Sequence, residues 1–281
     1  MTFASRNSNA STRTWTNQLG AVFAKFLPQS LWIAIQSRRS RDHQLKYLAG
    51  QGLIELGSEF IARYGTTVLH GPFQGMKYSI RSALTRHIVP RLMGSYEMEL
   101  HSIITALDPA YDAVTDIGAA EGYYAVGLAR RLRVPVHAFE TDGRERALMR
   151  EMASLNSVGA HVIAHGFCGR DHIKTLAGRR SLVLSDCEGY EQVLFDAETI
   201  PCLARADLII ETHGDQTEEL LAARFRESHR VDVYRSTLRG GREFPELSFL
   251  PVDRADMAVS EERPPQSWLF CRSLLAGTDS A

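Results

Sequence analysis

The chain has 281 residues, of which 44% are hydrophobic and 23% are charged, and its formal net charge is −1. This composition is ordinary for a soluble globular protein, and the length suits one large α/β domain with an appendage or two small domains. The four cysteines are widely spaced without a C-x-x-C pair, which argues against a disulfide scaffold or a zinc cluster and suits a cytoplasmic location.

The N-terminal part of the chain is basic and differs in pattern from the rest. Its start, "MTFASRNSNASTRTW", does not resemble a secretory signal, and the run "GAVFAKFLPQSLWIAI" is too interrupted to predict a membrane span. Residues 1–91 carry 12 Lys/Arg against 3 Asp/Glu, so we expect this segment to dock on the acidic remainder. Binding of an anionic substrate or a nucleic acid is the alternative, which we favour less because no aromatic residues are interleaved with the scattered bases.

Residues 1–95 are predicted to form an N-terminal arm or cap. The pattern is mainly helical up to about Tyr64, and "TTVLHGPFQGMKYSI" then predicts a hairpin near 66–80. Such an arm could join copies of the chain into a homo-oligomer. Residues 96–275 form the second predicted domain, and residues 276–281 a flexible tail.

From Tyr96 onward, helical and strand patterns alternate. The stretch "YEMELHSIITAL" predicts a helix with Ser95 as its N-cap. Helices are also predicted at 122–132, 142–156 and 216–227, and the seven predicted strands are 113–118, 136–140, 161–166, 181–186, 206–213, 230–237 and 267–273. This alternation predicts an α/β fold with a doubly wound, seven-stranded, mostly parallel sheet, in which the last two strands form an antiparallel hairpin.

The stretch "DIGAAEGYYA", residues 116–125, joins the first predicted strand to a helix through a glycine turn. Dinucleotide sites use G-x-G-x-x-G, whereas the spacing here is Gly118-x-x-x-Gly122, so a pyrophosphate would meet a side chain. Asp116 would also repel a diphosphate, but it could hold an ammonium group. A second acid, Glu140, ends the next strand, where a ribose diol binds in nucleotide folds. These residues favour S-adenosylmethionine as the cofactor.

The sequence resembles class I S-adenosylmethionine-dependent methyltransferases, which are Rossmann-like, and more closely their FkbM-type family. The resemblance covers about residues 94–213, under half of the chain. It rests on "GSYEMEL", "VTDIGAAEGYYAVGLA", "AFETD", "SLNSV", "LVLSDCEGYEQVLFD" and "LIIETH" in that order. The chain departs from the family at Ala120, where Asn is frequent, at Glu121, where an apolar residue is usual, and in "HGFC" after the third strand.

The resemblance implies a set of cofactor contacts. The methionine moiety would lie along the turn, at Gly118, Ala119, Ala120, Gly122 and Tyr123, with Asp116 below it. Glu140 would take the ribose with Thr141 beside it, and Gly166 and Phe167 would border the adenine. Glu97, which precedes the first strand, belongs to a segment that would close over the cofactor, and Asp186 would face the reaction centre.

Polar residues follow the fourth and fifth predicted strands, in "SDCEGYE" and "ETH". Ligands of open α/β sheets bind beyond the carboxyl ends of the strands, so we expect the catalytic candidates at this edge, namely Asp186, Glu188, Glu211 and His213. In one hypothesis His213 is a general base that a neighbouring carboxylate orients. In the other, Asp186, Glu211 and His213 bind a divalent cation such as Mg²⁺; we favour the metal-free version.

The sequence therefore predicts an S-adenosylmethionine-dependent methyltransferase that methylates a hydroxyl of a small molecule, such as a sugar or a polyketide. Two alternatives stay open. The first is a nucleic-acid methyltransferase that uses the basic N-terminal region as a clamp, and the second is a protein that binds S-adenosylmethionine without transferring its methyl group.

Overall fold

The computed structural model describes residues 52–82, 87–261 and 266–275. Most of the predicted N-terminal arm, at 1–51, and the predicted tail, at 276–281, lie outside the described residues. Among the residues that are described, no helix combines the length and the apolar character that crossing a membrane requires.

Seven strands form one sheet, in the order β3-β2-β1-β4-β5-β7-β6. Their bounds are β1 Ala113–Ile117, β2 Val136–Phe139, β3 Val162–His165, β4 Ser181–Ser185, β5 Asp207–Thr212, β6 His229–Arg235 and β7 Ser267–Ser273. Strands β1, β4 and β5 are buried along their whole length, as expected for the central strands of a sheet that is covered on both faces. Only β7 runs antiparallel to its neighbours, so the predicted doubly wound, mostly parallel sheet of the class I methyltransferase type is confirmed.

Nine α-helices are present in the described ranges. They are α1 Leu53–Tyr64, α2 Ile88–Met93, α3 His101–Thr105, α4 Tyr123–Leu132, α5 Gly143–Leu155, α6 Arg170–Lys174, α7 Glu191–Leu194, α8 Asp215–Phe225 and α9 Val252–Val259. Short 3₁₀ helices occur at Met98–Leu100, Ile200–Leu203, Gly241–Glu243 and Pro245–Leu247. Helices α2, α6, α7 and α9 were not predicted, because each is short or lies in a stretch without a long apolar period.

Three local predictions need correction. Ser95 is not the N-cap of the helix before β1, because a 3₁₀ turn begins only at Met98 and the residue before it, Glu97, has a left-handed backbone. The hairpin near 66–80 is a single antiparallel bridge between Thr67 and Lys77 rather than a pair of strands. Strands β6 and β7 do pair, but a long connection that contains α9 joins them, so they are not a tight hairpin.

Residues 53–82 and 87–93 share one apolar core with helices α4 and α5. Phe60, Phe73 and Leu92 belong to the same buried cluster as Val126. The contact is close, since a Cβ on Gly127 of α4 would lie 2.6 Å from the Phe73 ring. This segment therefore covers the outer side of α4 and holds the start of that helix in place. The predicted domain boundary at residue 95 stays a prediction.

Candidate functional site

The glycine turn brings the end of β1 against the end of β4. Gly118 has a φ of +86°, and a Cβ there would lie 1.7 Å from the carbonyl oxygen of Asp186. Only glycine permits this approach. Gly122, with a φ of +99°, lets α4 pack on α5, because its Cβ would lie 2.7 Å from Cγ of Met149. Both glycines are thus required by packing within the chain.

Glu140 leaves the end of β2 and turns towards the glycine turn. Its Oε2 accepts a hydrogen bond from the backbone N–H of Ala120 at 3.0 Å, and its Oε1 accepts one from the N–H of Asp142 at 2.7 Å. Each carboxylate oxygen can accept a further hydrogen bond, so the oriented pair can still receive the two hydroxyls of a ribose. Thr141 is exposed beside it.

Asp116 lies in β1 directly before the turn and is only 1% exposed. Neither of its carboxylate oxygens makes a hydrogen bond of normal geometry among the described residues, although the backbone N–H of Ala125 is near enough to lower its pKa. Burial raises the pKa of Asp116 to about 8, and the charges of Asp186 and Glu140 add to this effect. A buried carboxyl without a partner is costly. Its environment therefore suits a ligand that brings a cation or a hydrogen-bond donor.

Asp186, Glu211 and His213 meet at the carboxyl ends of β4 and β5. Each offers a potential ligand atom, and these atoms lie within 4.8 Å of one another. His213 Nε2 is 3.8 Å from Asp186 Oδ1, which is too long for a direct hydrogen bond. Both of these atoms are buried and have no hydrogen-bond partner in the described part of the chain. A polar atom of a ligand that lies beside both atoms can therefore form a hydrogen bond to each of them.

The protonation of Asp186 depends on its acidic surroundings. Burial raises the pKa of Asp186, the charges of Glu97 and Glu188 act in the same direction, and a hydrogen bond with Glu211 opposes them. Glu188 approaches from the solvent side, since its side chain is 93% exposed and its Oε2 lies 3.7 Å from His213 Nε2. The predicted catalytic group is therefore brought together, with Glu188 at its edge.

Glu97 is buried above this group, on the segment that precedes β1. The hydroxyl of Tyr124 donates a hydrogen bond to its carboxylate, and its backbone N–H donates one to Glu261 Oε1 at 3.0 Å. Tyr123, which the sequence placed at the cofactor, packs its ring into an aromatic cluster 5.2 Å from Phe73 and 5.4 Å from Tyr96. Of the two tyrosines that open α4, it is Tyr124 whose side chain contacts a candidate site residue.

Phe167 and Gly166 follow β3, at the far side of the turn from His213. Phe167 is 45% exposed, and its ring centroid lies 5.3 Å from that of Tyr190, in the loop after β4. No atom lies within 4 Å of the Cβ position of Gly166, so this stretch is open. Tyr190 was not predicted, although "SDCEGYE" contained it.

A buried ion pair that was not predicted from the sequence involves a residue of the glycine turn. Glu121 lies within the turn and pairs with Arg91 of α2, and the Tyr78 hydroxyl donates to Glu121 Oε1 at 3.3 Å. The guanidinium of Arg91 also lies 4.6 Å from the centroid of the Tyr96 ring. The sequence contained one indication of this ion pair. Glu121 is acidic at a position where the family that the chain resembles usually has an apolar residue.

No family model matches the chain, and no curated protein matches it. Among solved structures, it is similar to a precorrin-8w decarboxylase from Methanobacterium thermoautotrophicum, with 17% identity over 63% of this chain and 90% of that one, and a TM-score of 0.47. It is also similar to a SAM-dependent O-methyltransferase from Thermotoga maritima, with 14% identity over 63% and 66% of the two chains and a TM-score of 0.45. Similarity at this level concerns the fold, and the FkbM-type assignment stays a prediction.

Proposed function

We propose that this protein is an S-adenosylmethionine-dependent methyltransferase that acts on a hydroxyl of a small molecule. The observation that carries the proposal is the buried, unpartnered carboxyl of Asp116 at the point where β1 meets β4. A cationic ammonium or sulfonium group would favour the ionised form of this buried carboxyl, whereas the diphosphate of a dinucleotide would disfavour it. The bidentate position of Glu140 at the end of the neighbouring strand supports the ribose contact.

The remaining cofactor contacts follow from the positions of the predicted residues. The backbone from Gly118 to Gly122, with Ala119 and Ala120, would carry the methionine portion beneath Glu97. The open stretch at Gly166 and the exposed ring of Phe167 would border the adenine. When bound, the cofactor supplies an electrophilic methyl group on a sulfonium. The chain's own contribution is to align the acceptor hydroxyl with that methyl group and to exclude water from it.

We assign to His213 the role of general base, which removes the proton of the acceptor hydroxyl. An acceptor hydroxyl that lies beside both His213 Nε2 and Asp186 Oδ1, which are 3.8 Å apart, can donate its proton to the imidazole and accept a hydrogen bond from the protonated carboxyl of Asp186. The imidazole takes the proton as the hydroxyl oxygen attacks carbon. Glu188 then stabilises the imidazolium, because its Oε2 lies 3.7 Å from Nε2.

A divalent cation at Asp186, Glu211 and His213 is the alternative for the same step. Their mutual distances permit a shared ion, and such an ion would position the acceptor and lower the pKa of its hydroxyl. Mg²⁺ prefers oxygen ligands with several waters, and one of the three ligands here is an imidazole. We therefore keep the metal-free mechanism as the proposal.

The cofactor assignment is tested with Glu140→Ala and S-adenosylhomocysteine. We expect about a 10- to 100-fold loss of affinity in titration calorimetry, because two hydrogen bonds to a charged group are removed. Glu219→Ala is the matched control, since Glu219 is an exposed glutamate of α8, and it should bind as wild type does. Thermal unfolding of both variants checks that they are folded. Equal affinity of Glu140→Ala and wild type would refute the ribose contact.

The proton transfer is tested with His213→Ala and an accepted hydroxyl substrate. We expect turnover, measured as release of S-adenosylhomocysteine, to fall about 10²- to 10⁴-fold, while cofactor affinity stays within about twofold. Activity of the wild type should survive EDTA. Full turnover of His213→Ala excludes the general base, and loss of activity in EDTA that Mg²⁺ restores would select the metal mechanism.

A further inference from the structure

Three histidines lie together outside the site described above, namely His137 of β2, His165 of β3 and His172 of α6. Their ring centroids are between 5.3 and 6.3 Å apart. The ring of Phe139 packs against two of them, with its centroid 4.6 Å from that of His165 and 4.4 Å from that of His172. All three histidines are half-buried, so protons of the solvent can reach them. The proposed function uses none of them.

Hydrogen bonds connect this histidine cluster to the sheet. His137 Nδ1 and His165 Nε2 are 3.1 Å apart, and His172 Nε2 lies 3.3 Å from the hydroxyl oxygen of Thr115 in β1. The bond between the two imidazoles needs a ring nitrogen with a free lone pair, so it requires that at least one of the two rings is neutral. Since α6 follows β3 after a short loop, residues 166–169, the cluster helps to hold this loop and α6 on the sheet.

The surroundings of the cluster disfavour a positive charge. Burial lowers the pKa of His172 to about 4, and the charges of His137, His165 and Arg179 act in the same direction. Burial also lowers the pKa of His137, with His165 and Arg179 adding to the effect, and it lowers the pKa of His165. The 3₁₀ helix Ile200–Leu203, which packs against α6, contains no charged residue. No carboxylate of the described residues is among the groups that act on the three rings.

The charged side chains of α6 itself do not offset this effect. Its two cations are engaged on the surface, since Arg170 lies 3.1 Å from Asp196 and Lys174 lies 3.1 Å from Glu198. Asp171 is exposed and is not among the groups that act on the cluster. Protons that bind to the cluster would therefore add positive charges that repel one another without a compensating anion.

Acidification should favour a conformation in which the cluster is open to water. A histidine whose pKa is lowered in the closed conformation binds a proton more readily in an open one, where its pKa returns to about 6.5. The closed conformation is therefore favoured above about pH 6.5 and is lost progressively as the pH falls towards the lowered values. Protonation of both His137 and His165 also breaks the hydrogen bond between them.

We propose that His137, His165 and His172 form an acid-sensitive latch, which holds the loop 166–169 and helix α6 on the sheet at neutral pH and releases them in acid. This loop carries the two residues that are proposed to border the adenine. Its release would open that side of the candidate cofactor site and weaken binding of the methyl donor. The consequence for the cofactor rests on the proposed function, whereas the latch itself does not.

Hydrogen exchange, measured by mass spectrometry on the full chain and corrected for the intrinsic effect of pH, tests the latch. Between about pH 7 and about pH 5, we expect wild-type protection of residues 166–174 to fall at least about tenfold, while that of α8 changes less than about twofold. The double variant His137→Asn with His172→Gln places amide nitrogens where the imidazole nitrogens form their hydrogen bonds, without a titratable group, and should keep its protection. His70→Gln is the matched control, because His70 is 58% exposed and contacts Glu246, and it should behave as the wild type does.

Calorimetry with S-adenosylhomocysteine on the same proteins tests the consequence for the cofactor. Over the same pH range, the affinity of the wild type should fall at least about tenfold more than that of the double variant.

The possible failures separate the proposals. Wild-type protection of residues 166–174 that is equal at both pH values, or that falls equally in the double variant, overturns the latch. If the latch opens but affinity changes equally in both proteins, its link to the cofactor site is wrong. If S-adenosylhomocysteine does not bind to the wild type at neutral pH, the proposed function fails, and the exchange measurement still decides the latch.

Discussion

Replacing Gly118 with alanine is expected to abolish binding of S-adenosylhomocysteine. The new Cβ would lie 1.7 Å from the carbonyl oxygen of Asp186, and a backbone atom at that distance must move. Either the glycine turn or the start of the loop after β4 shifts, and both carry candidate site residues. We expect affinity to fall more than about 100-fold in titration calorimetry, and unfolding to become easier by about 3 kcal/mol or more.

Gly178→Ala separates the steric clash from backbone strain. Gly178 has a φ of +75°, comparable with the +86° of Gly118, but no atom lies within 4 Å of its Cβ position. This variant should lose about 1 kcal/mol of stability from the left-handed backbone alone and bind the cofactor product normally. If Gly118→Ala has the same effect as Gly178→Ala on both affinity and stability, the close approach of β1 and β4 does not determine the conformation of the glycine turn.

Replacing Arg91 with methionine is expected to destabilise the fold by about 3 to 5 kcal/mol in urea denaturation. Glu121 would remain as a buried carboxylate whose cation is gone, because its side chain is only 3% exposed. The Tyr78 hydroxyl, at 3.3 Å, cannot replace a full positive charge. Since Glu121 lies inside the glycine turn, cofactor affinity should fall together with stability.

The double variant Arg91→Met with Glu121→Met tests the origin of that loss. Removing both charges removes the desolvation cost as well, so most of the stability should return. Arg81→Met is the matched control, because Arg81 pairs with Glu151 at 3.6 Å on the surface, where its side chain is 79% exposed. It should cost less than about 1 kcal/mol. A loss for Arg91→Met no larger than this would show that the pair does not hold the turn.

The sheet and the grouping of polar residues at its edge could be predicted because they depend on local patterns. Apolar runs bounded by turn residues identified all seven strands, and the parallel order placed Asp186 and His213 together although they are 27 positions apart. The rule that ligands lie beyond the carboxyl ends of parallel strands then needed no side-chain detail. The cofactor contacts of Asp116 and Glu140 are predictions of the same kind, and calorimetry will decide them.

Features that depend on contacts between distant segments could not be predicted. Arg91 and Glu121 are separated by helix α3 and strand β1, and neither carries a local signal of the other. The conformation of Glu97, with a φ of +48°, is imposed by its neighbours rather than by its own preference. Gly118 is the subtler case, since it was predicted as a cofactor contact, and the structure shows that the Asp186 carbonyl already requires glycine there.

The position of β7 between β5 and β6 has a consequence for how such a protein can change. The chain leaves β6 at Arg235 and returns to the same edge at Ser267, because both residues pair across that edge. The connection between them is therefore an excursion that starts and ends at one place, and its length does not affect the register of any strand. Insertions or substitutions in it can therefore occur without displacing the strands that carry the glycine turn, Asp186 and His213.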